Sequence, residues 1–109
     1  MKVERPRAAR YHFVVSAILT DLQSGQQSKG TTWNLSLFGC QVMPGNIARV
    51  GARIKIQIVY NGDAFEAQGR VMNLRPFTGA GIVFTHIEDR HQLVLDKWVA
   101  ALRNKSSQR

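Results

Sequence analysis

The segment 33–40, WNLSLFGC, contains the residues whose types and spacing most suggest chemistry. Asn34 offers an amide that donates and accepts hydrogen bonds, Ser36 a hydroxyl, and Gly39 a backbone that can approach a ligand closely or adopt a positive φ. One interpretation is that Asn34, Ser36 and Gly39 form a small polar hook that binds a ligand. The other is an ordinary turn, in which Asn and Ser bond their own backbone and the glycine begins a bulge. The spacing alone favours neither interpretation.

Basic residues are concentrated at the two ends of the chain. The first ten residues carry Lys2, Arg5, Arg7 and Arg10 against the single acid Glu4, a net charge of +3. The last seven residues add another +3, so only +2 of the formal +8 belongs to the middle of the chain. This distribution favours an anionic partner, such as a phosphate-bearing ligand, nucleic acid or an acidic protein surface. Basic tails that only aid solubility would have the same charge.

Length and composition indicate one globular domain, because 109 residues with 44% hydrophobic residues can build a single core. The chain has no run of eighteen apolar residues and no apolar segment behind its charged N-terminus. We therefore expect a soluble, cytoplasmic protein that does not insert into membranes. Its one cysteine, Cys40, excludes an internal disulfide and a cysteine-cluster metal site, and is expected in the core.

Catalytic arrangements are weakly supported by the sequence. Ser36 could be grouped with His86 or His91 and with Asp89, but it lacks the G-x-S-x-G turn that exposes a serine nucleophile. The three histidines also lack the spacing of a zinc or iron site. We expect no enzyme activity, no catalytic residues and no metal or other cofactor.

The sequence pattern of most of the chain predicts short strands separated by turns. Residues 13–19 are apolar and β-branched, and residues 52–60 alternate apolar and polar side chains with a period of two. Asn61-Gly62 supplies the two positive-φ positions of a type I′ turn, so the next segment should form a hairpin with 52–60. Five or six such strands indicate a small barrel or sandwich.

The pattern changes after residue 84. Thr85 and Glu88 have the spacing of a capping box, which predicts the start of a helix. An apolar stripe follows at helical spacing, which should face the sheet. It consists of Leu95, Trp98, Val99 and Leu102. The predicted organisation is a flexible basic arm at 1–10, a barrel at 11–85, a helix at 86–103 and a basic tail at 104–109.

The arm and the hook together resemble the PilZ domain family, which pairs an RxxxR motif in an N-terminal arm with a later (D/N)xSxxG motif. Asn34, Ser36 and Gly39 match all three fixed positions of the second motif. Residues 69–99 look like the family's last two strands and its C-terminal helix, so the resemblance extends over roughly residues 5–100.

The first motif departs from the family pattern. Pro6 stands four residues before Arg10, where RxxxR has its first arginine, and the available arginines are Arg5 and Arg7. In an extended arm one residue advances the chain by about 3.3 Å, a distance that a flexible arginine side chain can compensate. The departure weakens the expectation of ligand binding without removing it.

The resemblance implies an all-β fold, a six-stranded antiparallel β-barrel with a C-terminal α-helix, and cyclic di-GMP as the ligand. By this resemblance the arm arginines would clamp guanine and phosphate, and the hook would form hydrogen bonds to the ligand from the barrel surface. The implied binding residues are Arg5, Arg7, Arg10, Asn34, Ser36 and Gly39.

By the same resemblance the protein would be a cyclic di-GMP receptor whose arm becomes ordered on binding and signals to a downstream protein in motility, biofilm or pilus control. The alternative is a PilZ-type adaptor in type IV pilus assembly that binds no dinucleotide. Nucleic-acid binding is the weakest of the three expectations, because the few aromatic residues are spaced as core residues and the middle of the chain is nearly neutral.

Overall fold

The computed structural model describes residues 9–43, 49–77 and 79–107. Within these ranges the chain forms seven β-strands followed by one α-helix. They are β1 Tyr11–His12, β2 Ser16–Asp21, β3 Gln27–Leu35, β4 Gly39–Met43, β5 Arg53–Tyr60, β6 Asp63–Arg75, β7 Gly79–His86 and α1 Asp89–Ser107.

Six of the strands close into a barrel in which neighbours are antiparallel. Their order is β3-β2-β5-β6-β7-β4, and β4 pairs again with β3 to complete the ring. The short strand β1 lies outside the ring and pairs with the end of β3. The predicted six-stranded antiparallel barrel with a C-terminal helix is confirmed.

The hairpin of β5 and β6 follows directly from the sequence pattern. Ile54, Ile56 and Ile58 alternate with polar residues along β5, and all three are buried in the core. Asn61 has a φ of 54° and Gly62 a φ of 83°, the positive values that a type I′ turn requires. The predicted turn is confirmed, and it fixes the register in which Tyr60 faces Asp63.

The first predicted strand, 13–19, begins and ends later than expected: it is β2, Ser16–Asp21. Residues 13–15 form an irregular link between β1 and β2 that is held by the buried side chain of Thr32. The Thr32 hydroxyl accepts a hydrogen bond from the Val15 N–H at 2.9 Å and donates one to the Phe13 carbonyl. Buried backbone groups need such partners when the chain leaves a regular ladder. Thr32 therefore fixes where β1, and the arm before it, joins the barrel.

Replacing Thr32 by valine should lower the free energy of unfolding by about 1–3 kcal/mol, because buried backbone groups would lose their partner without a change of side-chain shape. Urea unfolding followed by tryptophan fluorescence measures this. Thr31→Val is the matched control, since Thr31 is exposed on the same strand. An equal effect of both substitutions would contradict this role of Thr32.

The helix starts later than the sequence predicted. Thr85 and His86 belong to β7, where His86 pairs with Gln68, so the expected helix at 86–103 is corrected to Asp89–Ser107. The proposed capping box is wrong for the same reason: Thr85 lies within β7 and is too far from Asp89, the first helical residue, to cap the helix. The helix begins after Glu88 instead, whose carbonyl accepts hydrogen bonds from the N–H groups of His91 and Gln92.

The predicted apolar stripe of α1 does face the barrel. Leu95, Trp98 and Val99 are buried. Trp98 packs in an aromatic cluster with Phe13 and Phe65, at ring-centroid distances of 5.6 Å and 5.9 Å. Since Phe13 lies in the link that precedes β2, the helix also secures the N-terminal part of the barrel. Along the part of the chain that the structure describes, no helix has the length and apolar character needed to span a bilayer.

Candidate functional site

A groove of about 370 Å³ lies on the barrel surface where β4, β6 and β7 meet the turn between β3 and β4. Its lining includes Arg10, Ser36 and Gly39, three of the predicted site residues. Arg10 comes from the N-terminal arm, whereas the other two come from the turn. The structure thus brings the arm and the polar hook to one surface.

The turn is built around the side chain of Ser36. Its hydroxyl oxygen accepts hydrogen bonds from the N–H groups of Phe38 and Gly39, each at 3.2 Å, and the hydroxyl donates to the Gly39 carbonyl at 3.3 Å. The Ser36 N–H also donates to the Gly39 carbonyl at 2.9 Å. A hydroxyl accepts two hydrogen bonds and donates one. In this structure the Ser36 side chain is therefore fully engaged in holding the shape of the turn.

Substituting Ser36 by alanine should reduce the free energy of unfolding by about 1–3 kcal/mol, since two N–H groups of the turn would lose their acceptor. Ser24→Ala is the matched control: the Ser24 hydroxyl accepts a similar bond from the Gln26 N–H, but in an exposed turn. That control should change stability by less than about 0.5 kcal/mol. Chemical denaturation of the two variants decides the matter, and equal losses would refute the structural role.

Gly39 is required by close packing of β4 against β7. A Cβ atom at this position would overlap the Ile82 carbonyl oxygen and approach the backbone of Val83. Gly39 does not have a positive φ. Of the two reasons for a glycine that the sequence suggested, a positive φ and close approach of the backbone, only close approach applies. Here the backbone that approaches is a neighbouring strand. The absence of a side chain lets the turn lie directly against β7 and gives the groove its floor.

Asn34 lies beside the groove rather than in its lining. It is paired with His12 of β1 and Gln41 of β4, and its Nδ2 donates to the Gln41 Oε1 at 2.9 Å. Its Oδ1 is buried without a hydrogen-bond partner among the described residues. Gln41, which the sequence analysis missed, does line the groove. Asn34 therefore reaches the groove through Gln41 and retains one free acceptor.

The register of β3 changes just before Asn34. Pairing with β4 shifts between Thr32 and Asn34, which leaves Trp33 as the extra residue of a bulge. Trp33 is about half exposed, and its ring lies edge-on to His12 at a centroid distance of 5.2 Å. The bulge thus places an accessible indole next to His12 of β1, which lies two residues after Arg10.

The position of Arg10 is set by β1. Tyr11 pairs with Leu35, so Arg10 emerges next to the turn. Arg10 lines the groove together with Gly39 at the start of β4. Burial raises the pKa of the Cys40 thiol to about 12, and the positive charge of Arg10 opposes that rise. The burial of Cys40 confirms its expected place in the core. Arg5 and Arg7, also predicted as site residues, fall outside the described residues.

Two residues of β6 complete the groove, and the sequence analysis missed both. Asn73 and Arg75 line it from the side opposite the turn. The pairing of β6 with β7 shifts between Val71 and Asn73, and such a bulge redirects side chains. A Cβ on Gly81 would lie 2.7 Å from the Asn73 Oδ1, so this glycine makes room for the amide. Only the basic character of Arg75 near the end of a predicted strand could have suggested its role.

The groove is electropositive. Arg10 and Arg75 both line it, and its lining within residues 9–43, 49–77 and 79–107 includes no carboxylate. The ion pairs of those ranges are Arg90–Glu88 and Lys97–Asp63, so neither groove arginine is neutralised by a neighbour. Nor do the described side chains form a cluster that could hold a metal ion. Together, the closed barrel and this groove define a small β-barrel domain with a surface site suited to an anion.

Comparison with known proteins gives the family. The model of the PilZ domain family matches residues 4–101, nearly the whole sequence. The chain belongs to the PilZ domain family. No curated protein sequence is similar enough to count as a match.

Solved structures with the same fold are distant in sequence. The PilZ domain of CeSA from a cellulose-synthesizing bacterium has a TM-score of 0.69 and 19% identity, over 87% of this chain and 98% of that one. The PilZ domain of YcgR from Escherichia coli, solved with c-di-GMP, has a TM-score of 0.70 and 13% identity, over 94% and 95%. The inhibitor of motility MotI/DgrA of Bacillus subtilis has a TM-score of 0.72 and 15% identity, over 98% of this chain but only 55% of that protein. At these identities the likeness establishes the fold.

Proposed function

We propose that this domain is a cyclic di-GMP receptor and that the groove between the turn 36–38 and the end of β6 is its binding site. The observation that carries the proposal is that Arg10 and Arg75, both without a carboxylate partner among the described residues, line one groove together with the Ser36–Gly39 turn. Family membership and the c-di-GMP bound to the YcgR domain support the choice of ligand.

The chemistry of the groove suits that ligand. Cyclic di-GMP carries two phosphates and two guanines, and each guanine presents the O6 and N7 acceptors together. A guanidinium can bond both acceptors at once, or two phosphate oxygens, and can stack on a purine. Arg10 and Arg75 supply two such groups from opposite sides. The amides of Asn73 and Gln41 add donors and acceptors for a guanine edge, and Asn34 positions the Gln41 amide through its Nδ2.

The remaining arm arginines are part of the same proposal. Arg5 and Arg7 would add guanidinium groups to the ligand from the N-terminal side. Arg75 would compensate for Pro6, which stands where the RxxxR motif has its first arginine. Ser36 and Gly39 would contribute by fixing the turn against which the ligand lies.

Binding would order the arm on the barrel and present a new surface to a downstream protein in motility, biofilm or pilus control. Pro6 is the observation that favours the alternative, an adaptor for type IV pilus assembly that binds no dinucleotide. The two functions differ in one measurable property, the affinity for cyclic di-GMP.

Isothermal titration calorimetry of the full chain with cyclic di-GMP, in 150 mM salt, tests the proposal. We expect one saturable transition with a Kd of about 1 μM, because four or five charge-assisted hydrogen bonds outweigh the loss of arm freedom. GTP and cyclic GMP serve as controls and should bind much more weakly. No heat of binding with cyclic di-GMP would overturn the receptor function and leave the adaptor.

A further inference from the structure

A second basic groove lies next to the first. It has a volume of about 640 Å³ and is lined by residues at the end of β2, in the loop before β5, and on β5 and β6. Three arginines contribute to it: Arg49, Arg53 and Arg70. None of them takes part in an ion pair with another described residue, and neither the motifs nor the proposed cyclic di-GMP site uses them.

Two of these arginines face each other directly. Arg53 of β5 and Arg70 of β6 are partners in the strand register, so their Cβ atoms stand about 5 Å apart on the outer face of the barrel. Like charges in this arrangement destabilise a sheet. The barrel therefore carries an unfavourable pair that an anion lying across both guanidinium groups would turn into a favourable one.

The third arginine is brought to the pair by a fixed loop. The Gly51 N–H donates to the Val71 carbonyl at 2.7 Å, and the Val71 N–H donates to the Ala52 carbonyl at 3.0 Å. These bonds tie the loop to β6 one residue from Arg70. The Arg49 Nη2 is further held by the Gln23 Oε1 at 3.1 Å. The convergence of the three side chains thus rests on backbone hydrogen bonds to the barrel.

One end of this groove is closed to anions. Asp21 lines it at the β2 side, and its Oδ1 accepts hydrogen bonds from the N–H groups of Gln23 and Ser24. These bonds lower the pKa of the Asp21 carboxyl, so it stays ionised at neutral pH. An anionic ligand would be repelled from the β2 side and would lie over β5 and β6.

The other end of this groove, over β5 and β6, faces the first groove. Gly39 pairs with Val83, Val83 with Arg70, and Arg70 with Arg53, so these four residues form one row across β4, β7, β6 and β5. Three strand spacings amount to about 14 Å. A ligand over Arg53 and Arg70 would therefore lie within one short peptide length of the Ser36–Gly39 turn.

We propose that the groove of Arg49, Arg53 and Arg70 is a docking site for an extended acidic segment of a partner protein, bound through its carboxylates beside the nucleotide groove. Arginine forks match carboxylates geometrically. The described lining residues include no aromatic side chain on which a nucleobase could stack, which disfavours single-stranded nucleic acid. The exposed Val50 in the same lining can take an apolar side chain of the segment. This inference does not depend on cyclic di-GMP binding.

Fluorescence anisotropy with a labelled eight-residue peptide of alternating glutamate and leucine, in 150 mM salt, tests the proposal. Arg53→Glu is the informative variant, because a carboxylate opposite Arg70 would pair with it internally and leave the barrel at least as stable. We expect peptide affinity to fall by about tenfold or more, with an unchanged or raised melting temperature. The control is Arg103→Glu, the same charge change at an exposed site on α1 that lines neither groove.

Three results would overturn the proposal: no peptide binding to the wild-type chain, equal losses in the two variants, or tighter binding of an oligothymidine probe or of inorganic phosphate than of the peptide. Calorimetric titration of Arg53→Glu with cyclic di-GMP keeps this test separate from the test of the receptor function. Loss of peptide binding with intact dinucleotide binding in Arg53→Glu supports the second site, whereas intact binding of both ligands overturns it and leaves the receptor proposal standing.

Discussion

Gly39→Ala is expected to lower the free energy of unfolding by about 3 kcal/mol or more, because its methyl group would overlap the Ile82 carbonyl and force β4 away from β7. Both strands border the proposed ligand groove, so dinucleotide binding should also be lost wherever the variant still folds. Urea unfolding monitored by the buried Trp98 gives the stability, and calorimetry gives the affinity.

Gly25→Ala is the matched control for this substitution. Gly25 has a φ of 78° but no atom within 4 Å of a built Cβ, so alanine there meets only backbone strain, about 1 kcal/mol. The difference between the two variants isolates the effect of overlap with β7. If Gly39→Ala were no more harmful than Gly25→Ala, the close approach of the two strands would not be what demands this glycine.

Arg10→Ala and Arg75→Ala are each expected to weaken cyclic di-GMP binding by about tenfold or more, since each removes charge-assisted hydrogen bonds to the ligand. The double variant should bind too weakly to titrate. Both side chains are exposed, so neither substitution should change stability by more than about 0.5 kcal/mol. Calorimetric titration of the three variants measures their affinity, and thermal unfolding of the same variants measures their stability.

Arg103→Ala provides the comparison, because it removes an exposed arginine from α1 without touching the groove. Its affinity should equal that of the wild type in the same salt. The outcome for Arg75 is the more informative. Full affinity in Arg75→Ala would mean that the groove does not define the binding surface, even if Arg10 proved essential.

Local patterns in the sequence predicted the elements whose neighbours are close along the chain. The alternation of Ile54, Ile56 and Ile58 and the Asn61-Gly62 turn specified the hairpin of β5 and β6, because both depend on adjacent residues. The stripe of α1 was predictable for the same reason. Closure of the barrel was expected from the family resemblance, since the pairing of β4 with β3 and β7 joins segments up to about forty residues apart.

The missed features depend on such distant pairing. The capping-box pattern at Thr85 was overridden because β6 is long enough to hold His86 in the ladder through Gln68. Asn73 and Arg75 could not be assigned to the site, because a shift in the register of β6 against β7 decides which way they point. For the hook, the sequence correctly identified Ser36 and Gly39 as special, but left open whether they hold a ligand or a turn. In the structure the hydrogen bonds of Ser36 hold the turn, and Gly39 packs closely against β7.

The bulge at Trp33 has a practical consequence for following this molecule in solution. Its two indoles occupy opposite environments: one is half exposed against an imidazole at the base of the arm, and the other is enclosed among phenylalanines. Emission from the outer indole should respond to changes around His12 and β1, whereas emission from the inner one should stay constant until the fold is lost. The chain thus carries its own optical reporter and an internal reference, and needs no attached dye.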